Sequence, residues 1–460
     1  MENQETQLQG IKEMMNDLIL TKNDASPSGN YMDYAQLMFP QGGENTPRLR
    51  FKGFEDEWKL YRLGDVGTFR SNGVDKKIYP GETIINLLNY MDVFNFKKVT
   101  KHNCKDLMQV SASSRQIEEC DIKAGDVFFT PSSETAEDIG HVMVMEEDLD
   151  NTCYSYHLMR FRPNPGVFYP TFPDYGFQTF FVREQMRIAA KGVQRFVLSK
   201  NDFESIMVFA PCLEEQEKIA SFFRRLDLQI ASQQQQLERL KQMKLTCLGL
   251  LFPDNQTLTP PLRFKGFEGK WIMRQLSTIA SFSKGKGYSK NDLQDTGTPI
   301  ILYGRMYTRY NTIIDDVDTY VMQKPNSVLS QGNEIIIPAS GETPEDIACA
   351  SVVEKEGVIL GGDLNIIKLT NSFCDSHYTA LAITYGDVHN ELAKYAQGKT
   401  VVHLHNSEIC KVSIAYPPTL EEQRCISSLI RCIDKRISIQ TKQVEQLNQF
   451  RKACLNQMVA

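Results

Sequence analysis

The chain of 460 residues has little or nothing of several things, and each shortage excludes a class of protein. No window holds the roughly 18 uninterrupted apolar residues that a membrane helix needs. The polar start Met1-Glu-Asn-Gln-Glu also lacks the basic-then-apolar order of a secretory signal, so a cytoplasmic location is expected. Eleven Cys are scattered with no C-x-x-C pair, which argues against a four-thiolate zinc site and a disulfide framework. Positive charge is short as well. The formal net charge is -6, whereas a dedicated nucleic-acid binder is usually basic. There are only two Trp. What remains is a globular composition, 41% hydrophobic and 23% charged, at a length that exceeds one hydrophobic core and predicts two to four domains.

Those two Trp mark an internal repeat. Phe39-Pro40, Pro47-Arg-Leu-Arg-Phe-Lys-Gly-Phe-Glu55, Trp58, Leu63 and Phe69 return without gaps, 213 positions later, as Phe252-Pro253, Pro260-Pro-Leu-Arg-Phe-Lys-Gly-Phe-Glu268, Trp271, Leu276 and Phe282. Pro131-Ser-Ser-Glu-Thr-Ala-Glu-Asp-Ile139 is echoed by Pro338-Ala-Ser-Gly-Glu-Thr-Pro-Glu-Asp-Ile347, and Leu213-Glu-Glu-Gln216 by Leu420-Glu-Glu-Gln423. A period near 210 residues is too long for a solenoid unit and predicts two homologous domain-plus-helix halves in tandem. The globular stretches are 46–212 and 259–417. Apolar runs at Thr83–Leu88, Asp126–Thr130, Glu334–Pro338 and Gly357–Gly361, bounded by Gly, Asp and Pro, predict buried strands, with a helix over Tyr378–Tyr385. The expected fold class is α/β (α+β).

Each half ends in a helical segment, 213–252 and 418–460. Ile219, Phe223, Leu226, Ile230, Gln233, Leu237 and Leu240 advance in steps of four and three, as do Ile426, Ile430, Ile433, Ile437, Gln440, Val444 and Leu447. Neither seam can be buried alone, so each helix is the expected partner of the other, packed as an antiparallel coiled coil if the halves are related by a pseudo-twofold axis. Gln233 and Gln440 occupy the same place in the two seams, as register-fixing polar residues or at a water-filled seam centre. Thr419 and Glu422 have capping-box spacing. The seam from Ile219 to Lys244 spans about 38 Å, close to one turn of B-DNA.

In this layout the chain resembles the specificity subunit of type I restriction-modification systems. The resemblance rests on the L-R-F-x-G-F-x-x-x-W opening of each domain, its closing Gly192–Leu198 or Gly398–Leu404 stretch, and the P-x-L-E-E-Q helix starts; it covers residues 46–460. It implies two target-recognition domains that each read half of a bipartite double-stranded DNA target, with the helices setting the gap. It implies a non-catalytic chain that docks two methyltransferase subunits and, through them, restriction and translocase subunits. S-adenosylmethionine, ATP and magnesium would belong to those partners, leaving no cofactor or metal here. Residues 1–45 depart from the family pattern. Leu37-Met-Phe-Pro40 matches Leu250-Leu-Phe-Pro253, so the extension reads as a degraded junction, partly disordered, with a short helix over Gln9–Thr21. The alternative is a pseudo-symmetric protein-binding scaffold without DNA affinity, which the acidic balance favours.

Motifs for chemistry are missing. Neither Thr259-Pro-Pro-Leu262 nor Tyr416-Pro-Pro-Thr419 fits the base-binding tetrapeptide of an amino-methyltransferase, and the Gly expected five residues before Gly398-Lys-Thr400 in a phosphate loop is Ala393. His403 and His405 offer two imidazoles without a third ligand. Pro173-Asp174 and Glu354-Lys355 are weak nuclease signals. The repeated Glu134–Asp138 and Glu342–Asp346 motifs read as fixed acidic loops or helix starts, or as faces toward the methyltransferase. For DNA the candidates are Arg70, Asn72, Lys76 and Lys77, then Arg183, Arg187, Lys191, Gln194 and Arg195. In the second half they are Lys284, Lys286, Tyr288 and Lys290, then Arg305, Arg309, Lys399 and Thr400. Lys and Arg can neutralise phosphates, glycines allow close backbone approach, and Gln194 or Asn72 can read adenine edges. For each residue the competing reading is an ordinary solvated basic loop.

Overall fold

The structure, a computed structural model, describes residues 18–20, 46–47, 49–253, 257–398 and 401–456. The chain divides into two compact units, one of residues 1–234 with 442–460, the other of residues 235–441. Each holds one globular domain with the first part of its own long helix and the last part of the other. The two helices are continuous, Leu213–Leu251 with 39 residues and Leu420–Asn456 with 37. At 1.5 Å per residue the first is about 58 Å long, well beyond its clear apolar seam.

The same topology is drawn in both domains. In unit 1 a four-stranded antiparallel sheet runs in the order Val142–Val144, Val127–Phe129, Met159–Pro163, Gly67–Arg70. In unit 2 the corresponding order is Ser351–Val353, Glu334–Pro338, Leu364–Leu369, Ala280–Lys284, with Ile313–Ile314 added at the edge. A second sheet in each contains one parallel pair, Thr83–Leu88 beside Leu149–Tyr154 and Thr298–Ile301 beside Ile359–Leu360. The mixed α/β expectation holds. Glu334–Pro338 has all five side chains buried, as its unbroken apolar run requires.

The repeated sequence motifs form a buried frame. Arg50 donates twice to the Glu215 carboxylate, at 2.8 and 2.7 Å, with both side chains sequestered from water. Arg263 does the same to Glu422, at 2.7 and 2.8 Å. The L-R-F opening of each domain is thus forked onto the L-E-E-Q start of its helix, which explains why both motifs appear twice. The next residue finishes the joint: Gln216 bonds Tyr169 N, Val167 O and Pro211 O, and Gln423 bonds Asp375 N, Phe373 O and Pro417 O. Trp58 and Trp271 are buried in the two main cores.

Three expectations change. The early seam residues Ile219, Phe223, Leu226 and Ile230 pack into the core of their own domain, with Phe223 stacked 5.0 Å from Tyr175, and do not wait for a partner helix. The other helix joins them at its far end, where Phe450 meets Phe222 edge-on and Arg451 pairs with Asp227 at 2.5 Å. In unit 2 the end of the first helix likewise meets the start of the second: Lys244 pairs with Asp434 at 2.7 Å, and Leu248 and Leu251 share a core with Ile426, Ile430 and Ile433. In each unit the start of one long helix meets the end of the other. Second, the capping box at Thr419 is half made. Its hydroxyl accepts from Glu422 N at 3.3 Å, but the Glu422 carboxylate is taken by Arg263. Third, Leu18–Leu20 is a strand, antiparallel to Leu49–Phe51, and not the end of a helix over Gln9–Thr21. The rest of the 1–45 extension lies outside the described residues.

Candidate nucleic-acid interface

Two motifs that stand far apart in the sequence are joined in both domains by a short ladder. Ser132–Ser133 pairs with Phe196–Val197, and Ser340–Gly341 pairs with Val402–His403. Each ladder ends in a tight loop. Lys191 and Val197 exchange backbone bonds at 3.1 and 2.9 Å, and Gln397 and His403 at 3.1 and 2.8 Å. Gly192 (φ 148°) and Gly398 (φ 145°) make the turn, and a Cβ at either would stand 1.9 Å from the carbonyl oxygen of Arg195 or Val401. Only glycine fits there. The first loop projects Val193, 93% exposed, with Gln194 and Arg195 also in solvent.

The acidic motif opposite each loop is rigid. Thr135 donates to Asp138 at 2.7 Å and Thr343 to Asp346 at 2.6 Å, each Asp amide returning the bond to the threonine hydroxyl. Arg183 holds the end of the first motif through Ile139 O and, at 2.6 Å, Glu137 O; His389 holds the second through Ala348 O at 3.0 Å. A tyrosine anchors the base of each ladder, Tyr90 donating to Ser132 O at 2.6 Å and Tyr307 to Ser340 O. These tyrosines were not visible in the sequence, because they stand at different distances from their serines in the two copies. The Arg50–Glu215 and Arg263–Glu422 forks had a signal, the joint recurrence of both motifs.

In unit 1 two of the sequence's basic clusters converge. Burial lowers the His157 pKa, and Lys76 and Arg195 lower it further, so cations 119 positions apart in sequence act on one imidazole. Arg195 is also tethered to Ser132 Oγ at 3.0 Å. Of the candidate set, Lys76 and Arg195 thus act on one side chain, His157, and Gln194 is the exposed neighbour of Arg195.

Other candidates also make contacts within the protein. Arg183 is half-buried as the brace just described, and desolvation depresses its pKa. Arg187 is clamped bidentate by Glu184 at 2.7 and 2.6 Å, and Lys191 faces Asp202 at 3.5 Å. Arg70 donates to Glu119 O at 3.0 Å and Lys77 pairs with Asp75 at 3.5 Å, while Asn72 is exposed and only its backbone carbonyl accepts, from Cys120 Sγ. In unit 2 Tyr288 turns inward, its hydroxyl bonded to Ser327 at 2.6 Å and to Lys324 N at 2.7 Å. Arg305 and Arg309 both pair with Asp318. Lys284, Lys286 and Lys290 are exposed around that loop, while Lys399 and Thr400 lie outside the described residues. The weak nuclease signal at Asp174 is a buried carboxyl accepting from Val144 N at 2.9 Å. Among the described residues no three His, Cys, Asp or Glu gather to hold a metal, and none of the helices is long and apolar enough to cross a membrane.

Comparison with known proteins agrees with this layout. The family model for the type I restriction modification DNA specificity domain matches twice, over residues 55–242 and 268–449. A type I restriction enzyme specificity subunit of Methanocaldococcus jannaschii (MjaX) is 22% identical over 438 residues, covering 90% of this chain and 95% of that protein. Another from the same organism (MjaVIII) is 22% identical over 272 residues, 56% of this chain and 62% of that protein. Among solved structures, the type I restriction-modification S subunit from M. genitalium superimposes with a TM-score of 0.56 at 12% identity, covering 88% of this chain and 97% of that one. A chain from a study of type I complex assembly gives 0.51 at 16%, covering 86% and 96%.

Proposed function

The chain belongs to the type I restriction-modification DNA specificity family, whose subunits are non-catalytic, and on that premise we propose that it reads a bipartite double-stranded DNA target, one domain to each half. The observation that carries the reading is the braced glycine loop, built twice on the same frame but with different sequences after the glycine, Val193-Gln194-Arg195 in one copy and Lys399-Thr400-Val401 in the other. A rigid support under a variable tip suits recognition of two unlike sequences. In unit 1 Lys76 and Arg195 supply phosphate contacts and Gln194 a bidentate partner for adenine. The long helices set the gap and dock two methyltransferase subunits, through which restriction subunits are recruited. S-adenosylmethionine, ATP and magnesium belong to those partners.

Footprinting of the chain assembled with its methyltransferase subunits tests this. Two short protected tracts with a fixed non-specific gap are expected. Inserting a matched heptad into both helices should widen the gap by about three base pairs, from roughly 10.5 Å of added rise at 3.4 Å per pair. An unchanged gap would contradict the ruler. Salt-insensitive assembly with no DNA affinity would point instead to a protein-only scaffold.

A further inference from the structure

We propose that residues 96–105 of unit 1 form a phosphate-gripping arm for duplex DNA that unit 2 lacks, so that the two domains hold their half-sites with unequal electrostatic force. In both domains the first strand of the parallel pair leads to an antiparallel neighbour: Thr83–Leu88 to Met108–Ala112 through a short helix and a loop, and Thr298–Ile301 to Tyr320–Val321 through a short helix and the edge strand Ile313–Ile314. The two connections differ in charge. The first carries Lys97, Lys98, Lys101 and Lys105 against Asp92 and Asp106; the second carries Arg305 and Arg309, both paired with Asp318, against Asp315, Asp316 and Asp318.

The first connection is held in place. Thr100 N donates to Asn103 Oδ1 at 2.8 Å, Asn103 Nδ2 to Lys98 O at 2.9 Å, and Lys101 N to Glu147 at 2.9 Å. Phe94 and Phe96 stack on His141, 4.5 and 5.1 Å away, and the helix ahead of them begins with Tyr90, the anchor of the reading loop. The start of the arm is therefore pinned to His141, behind the helix that carries Tyr90, and its middle to Glu147. Lys97 and Lys98 face Asp92 and Glu146, both at 3.3 Å, but Lys101, His102 and Lys105 are exposed and enter no ion pair among the described residues. Exposed cations on a fixed loop fit a phosphate backbone, where each contact releases counterions, and Lys101 would do so while also acting on Asp148, whose pKa it helps to lower. A local arm of this kind also lets a chain of net charge -6 hold DNA.

This rests on the reading that unit 1 contacts DNA, and the test separates the two. Binding of the assembled complex to its footprinted duplex is measured across salt concentrations, with and without the paired substitution Lys101→Gln, Lys105→Gln. Both sites are exposed, so folding should be retained, and circular dichroism with complex formation checks it. The expected result is a salt slope shallower by about 2, from roughly 0.9 per phosphate contact, with affinity lost on specific and unrelated duplexes alike and the recognised sequence unchanged. An unchanged slope in a complex that still protects its site overturns the arm alone. Loss of complex assembly with an unchanged slope also overturns it, assigning the lysines to a protein partner. Failure of the unsubstituted complex to protect any site overturns the underlying reading instead.

Discussion

Unit 1 forks Arg50 onto Glu215 and unit 2 forks Arg263 onto Glu422, in both cases bidentate and at the same joint between domain and helix. In the glycine loops the likeness stops: Val193-Gln194-Arg195 follows Gly192 in one copy and Lys399-Thr400-Val401 follows Gly398 in the other. The difference follows from burial. A buried carboxylate that loses its guanidinium is costly, so a duplicated frame cannot drift one partner at a time. Exposed loop tips carry no such penalty and are free to diverge into two specificities.

Breaking the frame should produce the largest effects. Arg50→Met strands a buried carboxylate and should cost about 3–5 kcal/mol of unit 1 stability. Arg263→Met should cost less, because that guanidinium is 15% exposed against 2% for Arg50, and water can reach the orphaned Glu422. Chemical denaturation with hydrogen exchange to locate the loosened unit checks this; equal losses would remove the burial argument.

Next come the loops. Gly192→Ala and Gly398→Ala each force a Cβ against a carbonyl at a backbone conformation suited to glycine, at a cost of about 1–3 kcal/mol confined to one loop. Each should abolish protection of one DNA tract and spare the other. Loss of both tracts from a single substitution would mean that the loops do not read separately.

A smaller, pH-dependent effect distinguishes unit 1. Burial, reinforced by Glu146 and Asp227, raises the Asp174 pKa to about 7. The folded value lies above the unfolded one, so the stabilisation associated with the protonated form is present at low pH and lost as pH rises through about 7. Asp174→Asn keeps the acceptor for Val144 N and should remove that decline, narrowing the melting-temperature gap between pH 6 and 8. An identical pH profile in the substituted protein would refute the shift. His141 acts in the opposite sense: burial and then Arg183 lower its pKa, so its contribution is lost on acidification.

Much of the frame was legible because it is written in local, repeated patterns. Thr83–Leu88 and Glu334–Pro338 are strands to the residue, and the helix expected over Tyr378–Tyr385 lies within Ser376–Tyr385. Their apolar blocks have one way to be buried. The seam positions were also legible, but periodicity does not name what a seam packs against, and the domain core claimed the first turns. The candidate interface was less readable. Whether a basic side chain reaches solvent depends on distant acceptors: Arg183 is spent on carbonyls 44 and 46 positions away, and Arg70 on one 49 positions away. Tyr90 and Tyr307 share a role that no fixed spacing records.

The most direct test of the account is adenine-methylation mapping of DNA exposed to this chain assembled with its methyltransferase subunits. The account predicts one asymmetric motif of two short specified tracts separated by a gap of fixed length, with one tract altered by substitutions at Gln194 and Arg195 and the other unaffected. A single continuous tract, or both tracts changing together, would contradict it.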